Sequence, residues 1–217
     1  MVRVKVCCIR SLEEAEIALG HGASALGLVS AMPSGPGTID DGTIAAIAAA
    51  VPPGTDTFLL TAERAAEAIA AQHGRMRVHT IQLVDRVDAS VYAELRARLP
   101  DVTLVQVVHV RGPEAIEEAA RAAAGVDAIL LDSGDPTLRV RELGGTGRTH
   151  DWTVSRDIVD TVDRPVWLAG GLGPRNVDRA IESVRPYGVD LCSGVRTAGA
   201  LDRRKLARFM DVVGRAA

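Results

Sequence analysis

Eight short apolar runs, separated by segments with helical character, constrain the fold of this chain more than any other feature. We interpret the runs at residues 2–9, 25–29, 57–60, 80–83, 104–109, 128–131, 165–169 and 189–192 as strands. Most of them are apolar throughout, which is typical of strands in a parallel sheet that helices cover on both faces. The alternation of strands and helices therefore predicts a parallel sheet.

The segments between the runs carry signals for helix ends. Ser11 and Glu14 have the spacing of a capping box, which predicts that the first helix begins there. Further helices are predicted at 62–73, which Gly74 would close, at 113–124 and 174–184, which both begin with proline, and at 201–213. Eight units of about 27 residues each predict a single (β/α)8 barrel domain over residues 1–217. The alternative is a doubly wound open sheet, which usually needs only five or six strands.

The composition excludes several classes of partner. The formal net charge is −3, so we expect neither a nucleic acid nor a membrane surface as partner. The chain has no signal peptide pattern and no apolar stretch long enough to span a bilayer. Its three cysteines, Cys7, Cys8 and Cys192, are a poor disulfide framework, so we expect free thiols and a cytoplasmic protein.

Small residues follow strands seven and eight, where barrels often bind phosphate. These are Gly170 and Gly171 in the first loop and Ser193 and Gly194 in the second. Glycine lets the backbone approach a ligand closely, and helix N-termini attract anions. The pattern predicts a phosphate site, and the alternative is a pair of tight turns.

Two side chains at strand ends are candidates for acid–base chemistry. Cys7 ends strand one, and its thiol is either a base or nucleophile or a small buried apolar group. Because side chains alternate along a strand, we expect Cys8 to face the helices instead. Asp132 follows three apolar residues at the end of strand six and is either a general acid, a helix cap or the partner of a loop arginine.

The Gly-rich, charged segment 133–152 is predicted to be a functional loop that closes over bound substrate. His150 lies in it and is a weaker candidate for a substrate contact. The five histidines have no metal-ligand spacing, so no metal is expected. The glycines at 144–147 do not lie in a nucleotide-binding unit.

Several motifs, in order, resemble the phosphoribosylanthranilate isomerase family of tryptophan biosynthesis. They are KVC, LLD, GGTGRTHDW, LAGGL, RPYGVD and SGV. The resemblance implies a (β/α)8 barrel without metal or organic cofactor that catalyses the Amadori rearrangement of N-(5-phosphoribosyl)anthranilate. It implies that Asp132 is the general acid and Cys7 the general base. It also implies that Gly170, Gly171, Ser193 and Gly194 hold the phosphate, and that Gln82 and Gly145 contact substrate.

The chain departs from the family pattern at the end that would hold the anthranilate. Cys8 replaces a glycine, Val84 and Asp85 replace His-Gly, and Arg196 replaces a glutamate. The family's Ser-Pro-Arg is absent from the segment MPSGPGTID. Either Arg10 supplies the missing cation, or the substrate is another phosphorylated aminosugar. A third hypothesis is a non-catalytic protein that binds a phosphosugar. The sequence is compatible with both a monomer and a homodimer.

Overall fold

Eight parallel strands close into a barrel, with each strand hydrogen-bonded to its neighbours in chain order and β8 paired with β1. The computed structural model describes residues 2–33, 35–135, 137–139, 143–144 and 147–216. The barrel strands are β1 Arg3–Val6, β2 Ala25–Val29, β3 Asp56–Thr61, β4 Thr80–Leu83, β5 Thr103–His109, β6 Ala128–Asp132, β7 Val166–Leu168 and β8 Gly188–Leu191. The predicted (β/α)8 barrel is confirmed, and the open sheet is excluded.

A helix follows each barrel strand and packs on the outside of the barrel. The helices are α1 Leu12–Gly20, α2 Asp41–Ala50, α3 Ala66–Met76, α4 Ala89–Arg98, α5 Glu114–Ala123, α6 Trp152–Thr161, α7 Val177–Val184 and α8 Arg203–Ala216. A short 3-10 helix (Ser193–Val195) and a hairpin of β9 (Arg196–Thr197) and β10 (Ala200–Leu201) lie between β8 and α8. No helix in the described part of the chain combines the length and apolarity needed to cross a bilayer.

Helix boundaries differ from the prediction where loop geometry overrides local signals. The third helix runs past Gly74 and ends at Met76, and the capping residue Arg77 takes a left-handed conformation with φ 52°. The seventh helix begins three residues after Pro174, because Asn176 first makes a turn in which its side chain accepts from the Gly173 N–H at 2.8 Å. The last helix begins after Leu201, which pairs within the hairpin.

Side-chain alternation divides the core into two layers. Outward residues of the strands, such as Val4 and Val6, pack against the helices. Inward residues fill the barrel, where the rings of Phe58 and Trp167 meet edge to face with centroids 5.7 Å apart. Apolar side chains therefore fill the barrel toward the amino ends of the strands, and polar groups lie toward the carboxyl ends.

Candidate active site

A cavity opens at the carboxyl ends of the strands. Its lining includes the side chains of Cys7, Gln82, Asp132 and Asp190, together with the loops after β7 and β8. The structure therefore brings the two acid–base candidates to one cavity. They project from β1 and β6, which are separated on the shorter path round the barrel by β7 and β8.

Cys7 continues the inward alternation of β1. Its backbone N–H donates to the Leu191 carbonyl at 2.8 Å, which extends the pairing of β1 with β8 by one residue. A Cβ on Gly27 would lie 2.7 Å from the Cys7 Sγ, so the glycine in β2 makes room for the thiol. Cys7 is buried in the protein yet borders the cavity.

The prediction that Cys8 faces the helices is wrong. Cys8 has φ 61°, which breaks the alternation of the strand and turns its thiol toward the cavity. A Cβ on Gly37 would lie 2.5 Å from the Cys8 Cβ, so the loop after β2 packs directly on this residue. Hydrogen bonds with the thiols of Cys192 and Cys7, together with burial, raise the pKa of Cys8.

Cys192, at the end of β8, completes a cluster of three thiols with Cys7 and Cys8. The hydrogen bond from Cys8 lowers the pKa of Cys192, and the positive charge of Arg196 acts in the same direction against burial. The sequence prediction did not assign Cys192 to the site. Its position directly after strand eight was the signal that should have placed it there.

Asp132 lies at the end of β6, directly across the ladder from His109 of β5. Its Oδ1 accepts from the Ser133 N–H at 2.7 Å, which favours the ionised carboxylate. Burial nevertheless raises the pKa of Asp132 above its ordinary value, because it disfavours the charge more strongly than its partners stabilise it. The protonated form that a general acid needs is therefore favoured relative to an exposed aspartate.

Gly144 packs against one side of the Asp132 carboxyl group. Its φ is +132°, and a Cβ built on it would lie 2.6 Å from the Asp132 Oδ2. The loop after β6 therefore approaches the acid closely only because this position is glycine. Gly145, which the sequence assigns to substrate binding, lies outside the described residues.

Lys5 and Asp190 form a buried ion pair that sequence reasoning missed. The Lys5 Nζ lies 2.8 Å from the Asp190 Oδ2, and neither side chain is appreciably exposed to solvent. Burial opposes the charge of Lys5, but Asp190, Cys7 and Cys8 together outweigh burial, and the pKa of Lys5 is raised. The signal was available, because Lys5 is two residues before Cys7 and so shares its inward face.

Two buried oxygen atoms border the cavity without a hydrogen-bond partner in the described part of the chain. They are the Gln82 Oε1 and the Asp190 Oδ1. A buried acceptor without a partner is costly, so both atoms are suited to receive a hydroxyl or amine of a ligand. Gln82 thus lines the cavity, and its assignment to substrate binding stays a prediction.

Loops after β6, β7 and β8 converge at one end of the cavity. Gly170 and Gly171 have φ 84° and 60°. A Cβ on Gly171 would lie 2.7 Å from the carbonyl carbon of Arg148, and one on Gly194 would lie 2.1 Å from the Leu172 oxygen. The glycines are thus required for the close approach of three loop backbones. Ser193 opens the 3-10 helix beside them.

His150 supports this end of the cavity from outside it. Its Nε2 lies 2.8 Å from the Ser155 Oγ, and its Nδ1 would lie 2.9 Å from a Cβ on Gly170. Burial lowers the pKa of His150 to about 4, so the ring is neutral at physiological pH. His150 is not among the residues that line the cavity, so the structure supports packing rather than a substrate contact.

Arg10 does not reach the cavity. Its guanidinium donates to the Gly199 carbonyl at 2.5 Å, lies 3.5 Å from Glu14, and is largely exposed to solvent. The expectation that Arg10 supplies the cation for a substrate carboxylate therefore needs correction. In the described ranges, the lining of the cavity contains no lysine, arginine or histidine. Within the same ranges, no group of three or more His, Cys, Asp or Glu side chains is arranged to hold a metal ion.

A family model decides the classification. The model of N-(5'-phosphoribosyl)anthranilate (PRA) isomerase matches residues 4–212, which is nearly the whole chain. The chain belongs to the phosphoribosylanthranilate isomerase family. It is accordingly an isomerase of the aldose–ketose type that this family represents in tryptophan biosynthesis.

Curated members of the phosphoribosylanthranilate isomerase family resemble the chain over its full length. The protein of Haloarcula marismortui is 36% identical over 97% of this chain and 95% of its own length. Isomerase 2 of Methanosarcina mazei is 37% identical over 96% of this chain and 92% of its own.

Solved structures of phosphoribosylanthranilate isomerases have the same fold. That of Thermotoga maritima superimposes with a TM-score of 0.85 at 29% identity, covering 99% of this chain and 100% of its own. Another, at 27% identity and a TM-score of 0.83, covers 99% of this chain and 100% of its own. It is in complex with reduced 1-(o-carboxyphenylamino)-1-deoxyribulose 5-phosphate.

Proposed function

We propose that this chain converts N-(5-phosphoribosyl)anthranilate to 1-(o-carboxyphenylamino)-1-deoxyribulose 5-phosphate, with Asp132 as general acid and Cys7 as general base. The observation that carries the proposal is that both side chains open into one cavity from separate strands of the barrel. The rearrangement moves hydrogen from C2′ to C1′ within one molecule. It therefore needs an acid and a base and no external oxidant.

Asp132 acts first in this proposal. It donates its proton to the ribose ring oxygen, the C1′–O bond breaks, and the nitrogen lone pair forms a Schiff base at C1′. The raised pKa of Asp132 supports this role, because the acid must hold a proton near neutral pH.

Cys7 acts second. Its thiolate removes the proton from C2′, and the electrons of that C–H bond move to neutralise the Schiff base. The resulting enol is converted to the ketone when C1′ gains a proton and the hydroxyl group on C2′ loses one. The position of Cys7 directly after β1, with its backbone N–H bonded to the Leu191 carbonyl of β8, supports this role, since a base must be held in place relative to C2′.

The remaining site residues anchor the substrate in this proposal. Gly170, Gly171, Ser193 and Gly194 hold the 5′-phosphate through loop N–H groups, and Gln82 and Gly145 contact the sugar. The convergence of three glycine-containing loops supports the first assignment. The buried Oε1 of Gln82 without a partner among the described residues supports the second.

The test is turnover of freshly prepared N-(5-phosphoribosyl)anthranilate, followed by the loss of its fluorescence. We expect Cys7→Ser and Asp132→Asn to lower kcat by about 10²–10⁴-fold, the usual contribution of a general acid or base. Asp56→Asn is a matched control, because Asp56 lies at the opposite end of the barrel in a half-exposed pair with Arg3. Turnover by Cys7→Ser or Asp132→Asn at the rate of this control would refute the assignment.

A second candidate function has a specific observation in its favour. The cavity wall formed by Val29, Met32, Pro36, Leu60 and Leu143 is apolar, and no cation lines it in the described ranges. The same chemistry on a phosphoribosylated amine without a carboxylate would fit this wall. Comparison of kcat/KM for the N-(5-phosphoribosyl) derivatives of anthranilate and of aniline separates the two. A preference for anthranilate supports the first function, and equal values or a preference for aniline support the second.

The cytoplasm is the compartment that we propose for this activity. Cys7, Cys8 and Cys192 are all free thiols in the structure. A base that works as a thiolate needs the reducing conditions that the cytoplasm supplies.

A further inference from the structure

Arg196 and Glu14 form an ion pair at the mouth of the barrel, just beyond the three thiols. The Arg196 Nη1 lies 2.9 Å from one Glu14 oxygen and the Nη2 lies 3.0 Å from the other, so the contact is bidentate. The Arg196 side chain is only 8% exposed and that of Glu14 only 11%. Such a pair has a fixed geometry, because the planar guanidinium matches the carboxylate.

The same guanidinium binds the backbone that carries the proposed base. Its Nη2 donates to the Cys8 carbonyl and lies 3.5 Å from the Cys7 carbonyl. Cys8 has φ 61°, a left-handed conformation that an L-residue adopts only at an energetic cost. A hydrogen bond to its carbonyl from a buried, fixed cation stabilises that conformation and with it the direction of the Cys7 side chain.

Arg196 also faces the thiol cluster. Its positive charge lowers the pKa of Cys192, whose thiol packs in the same cluster as Cys8. The other charged groups near the cluster are Lys5 and Asp190, which neutralise each other inside the barrel. On the outer side, Arg10 lies 3.5 Å from Glu14, and the Lys205 Nζ donates to the Arg196 carbonyl at 2.8 Å. Arg196 is thus a cation that contacts the backbone of Cys7 and Cys8 and acts electrostatically on the Cys192 thiol.

We propose that Arg196 is a positioning residue for the general base: paired with Glu14, it fixes the end of β1 so that the Cys7 thiol meets C2′ of the substrate. This inference rests on the proposed function of Cys7. It assigns a role to a position where the sequence departs from its family, which usually has glutamate there. The guanidinium acts through the Cys7 and Cys8 backbone and does not line the cavity itself.

The test compares Arg196→Lys, Arg196→Met and the control Arg3→Met. Lysine keeps the charge but cannot bind Glu14 and two carbonyls with one planar group. Arg3 is a matched control, because it pairs with Asp56 at the start of the same strand, away from the cavity. The readouts are kcat, KM and the rate at which iodoacetamide alkylates each cysteine, resolved by mass spectrometry of peptides.

We expect kcat to fall by about 100-fold in both Arg196 variants while KM changes little, because a small misplacement of the base affects the chemical step. Alkylation of Cys192 at pH 7 should fall about tenfold in Arg196→Met, equivalent to one pKa unit, and should recover in Arg196→Lys. Arg3→Met should leave all three readouts unchanged. If Arg196→Met fails to fold, Glu14→Gln provides the second variant, with a smaller fall of kcat in the same direction.

A kcat in folded Arg196→Met or Glu14→Gln equal to that of the wild type overturns the inference. Full activity in Arg196→Lys also overturns it, since charge alone would then suffice. If the wild-type protein does not turn over the substrate, the proposed function fails, and alkylation alone decides the inference. In that case unchanged reactivity of all three thiols in Arg196→Met overturns the role of Arg196, and a changed pattern supports it.

Discussion

At the scale of single residues, the site depends on polar side chains that strand alternation turns into the barrel. Cys7 and Asp132 could be predicted because they stand directly at strand ends, where barrel enzymes hold their reactive groups. Strand alternation could have placed Lys5 on the inward face with Cys7, but its pairing with Asp190 of β8 becomes visible only in three dimensions. Cys8 was predicted wrongly because its left-handed backbone breaks the alternation on which the prediction relied.

The pH dependence of kcat/KM tests the role of Asp132. A general acid works while it is protonated, so activity is present below its pKa and is lost as pH rises through it. Because burial raises the pKa of Asp132, we expect this loss at a pH above the ordinary aspartate value of about 3.9. The measurement is a kcat/KM profile from acidic to alkaline pH. Persistence of the same alkaline loss in Asp132→Asn would assign it to another group.

Gly144→Ala tests the close approach of the β6 loop to the acid. The added Cβ would lie 2.6 Å from the Asp132 Oδ2, so we expect kcat to fall by about tenfold or more as the carboxyl group shifts. Gly54→Ala is the matched control, because Gly54 also has a positive φ, of +92°, but has no atom within 4 Å of its Cβ position. Equal kcat in the two variants, at comparable thermal stability, would contradict the account.

At the scale of elements, β1 and β8 are joined inside the barrel as well as along their edges. Four register pairs link their backbones, and the Lys5–Asp190 ion pair links their inward faces. Sequence signals located both strands but not their ends: β1 stops at Val6, and the helix after β7 begins at Val177 rather than Pro174. The start of this helix follows a loop turn in which the Asn176 side chain bonds Gly173 and Gly171, and the proline signal gave no indication of this turn.

Lys5→Met tests the buried link between β1 and β8. It leaves Asp190 charged and buried without its partner, so we expect the free energy of unfolding to fall by about 3–5 kcal/mol. Arg3→Met removes a half-exposed pair from the same strand and should cost less than about 1 kcal/mol. Urea denaturation of both variants measures the difference. A similar loss in the free energy of unfolding for both variants would mean that the buried Lys5–Asp190 pair stabilises the protein no more than the half-exposed Arg3–Asp56 pair.

At the scale of the whole molecule, the barrel could be predicted because the chain contains eight strand–helix units. That number favours a closed parallel barrel over an open sheet, which usually needs only five or six strands. The end that carries the site followed from the fold, since loops after parallel strands meet at one face. The shape of the cavity did not follow, because it depends on where the loops after β2, β6, β7 and β8 touch one another. The close approach of Gly194 to the Leu172 oxygen, for example, joins two loops that are separate in the sequence.

Ligand protection tests the phosphate end of the cavity on the folded molecule. Ribose 5-phosphate should raise the Tm of the wild type, by mass action on the native state. We expect Gly171→Ala to abolish the shift, since its Cβ would displace the Arg148 backbone, while Gly54→Ala keeps it. Thermal unfolding with and without the ligand provides the measurement. A full shift in Gly171→Ala would place the phosphate elsewhere.

Isomerisation of N-(5-phosphoribosyl)anthranilate is the activity that we propose for this barrel. The most direct measurement is a time course of the freshly made substrate with wild-type protein, followed by fluorescence, with the product identified by mass and chromatography. The account predicts first-order conversion to 1-(o-carboxyphenylamino)-1-deoxyribulose 5-phosphate at a rate proportional to protein concentration. If the substrate disappears no faster with folded protein than by its spontaneous breakdown without protein, the proposed activity is contradicted.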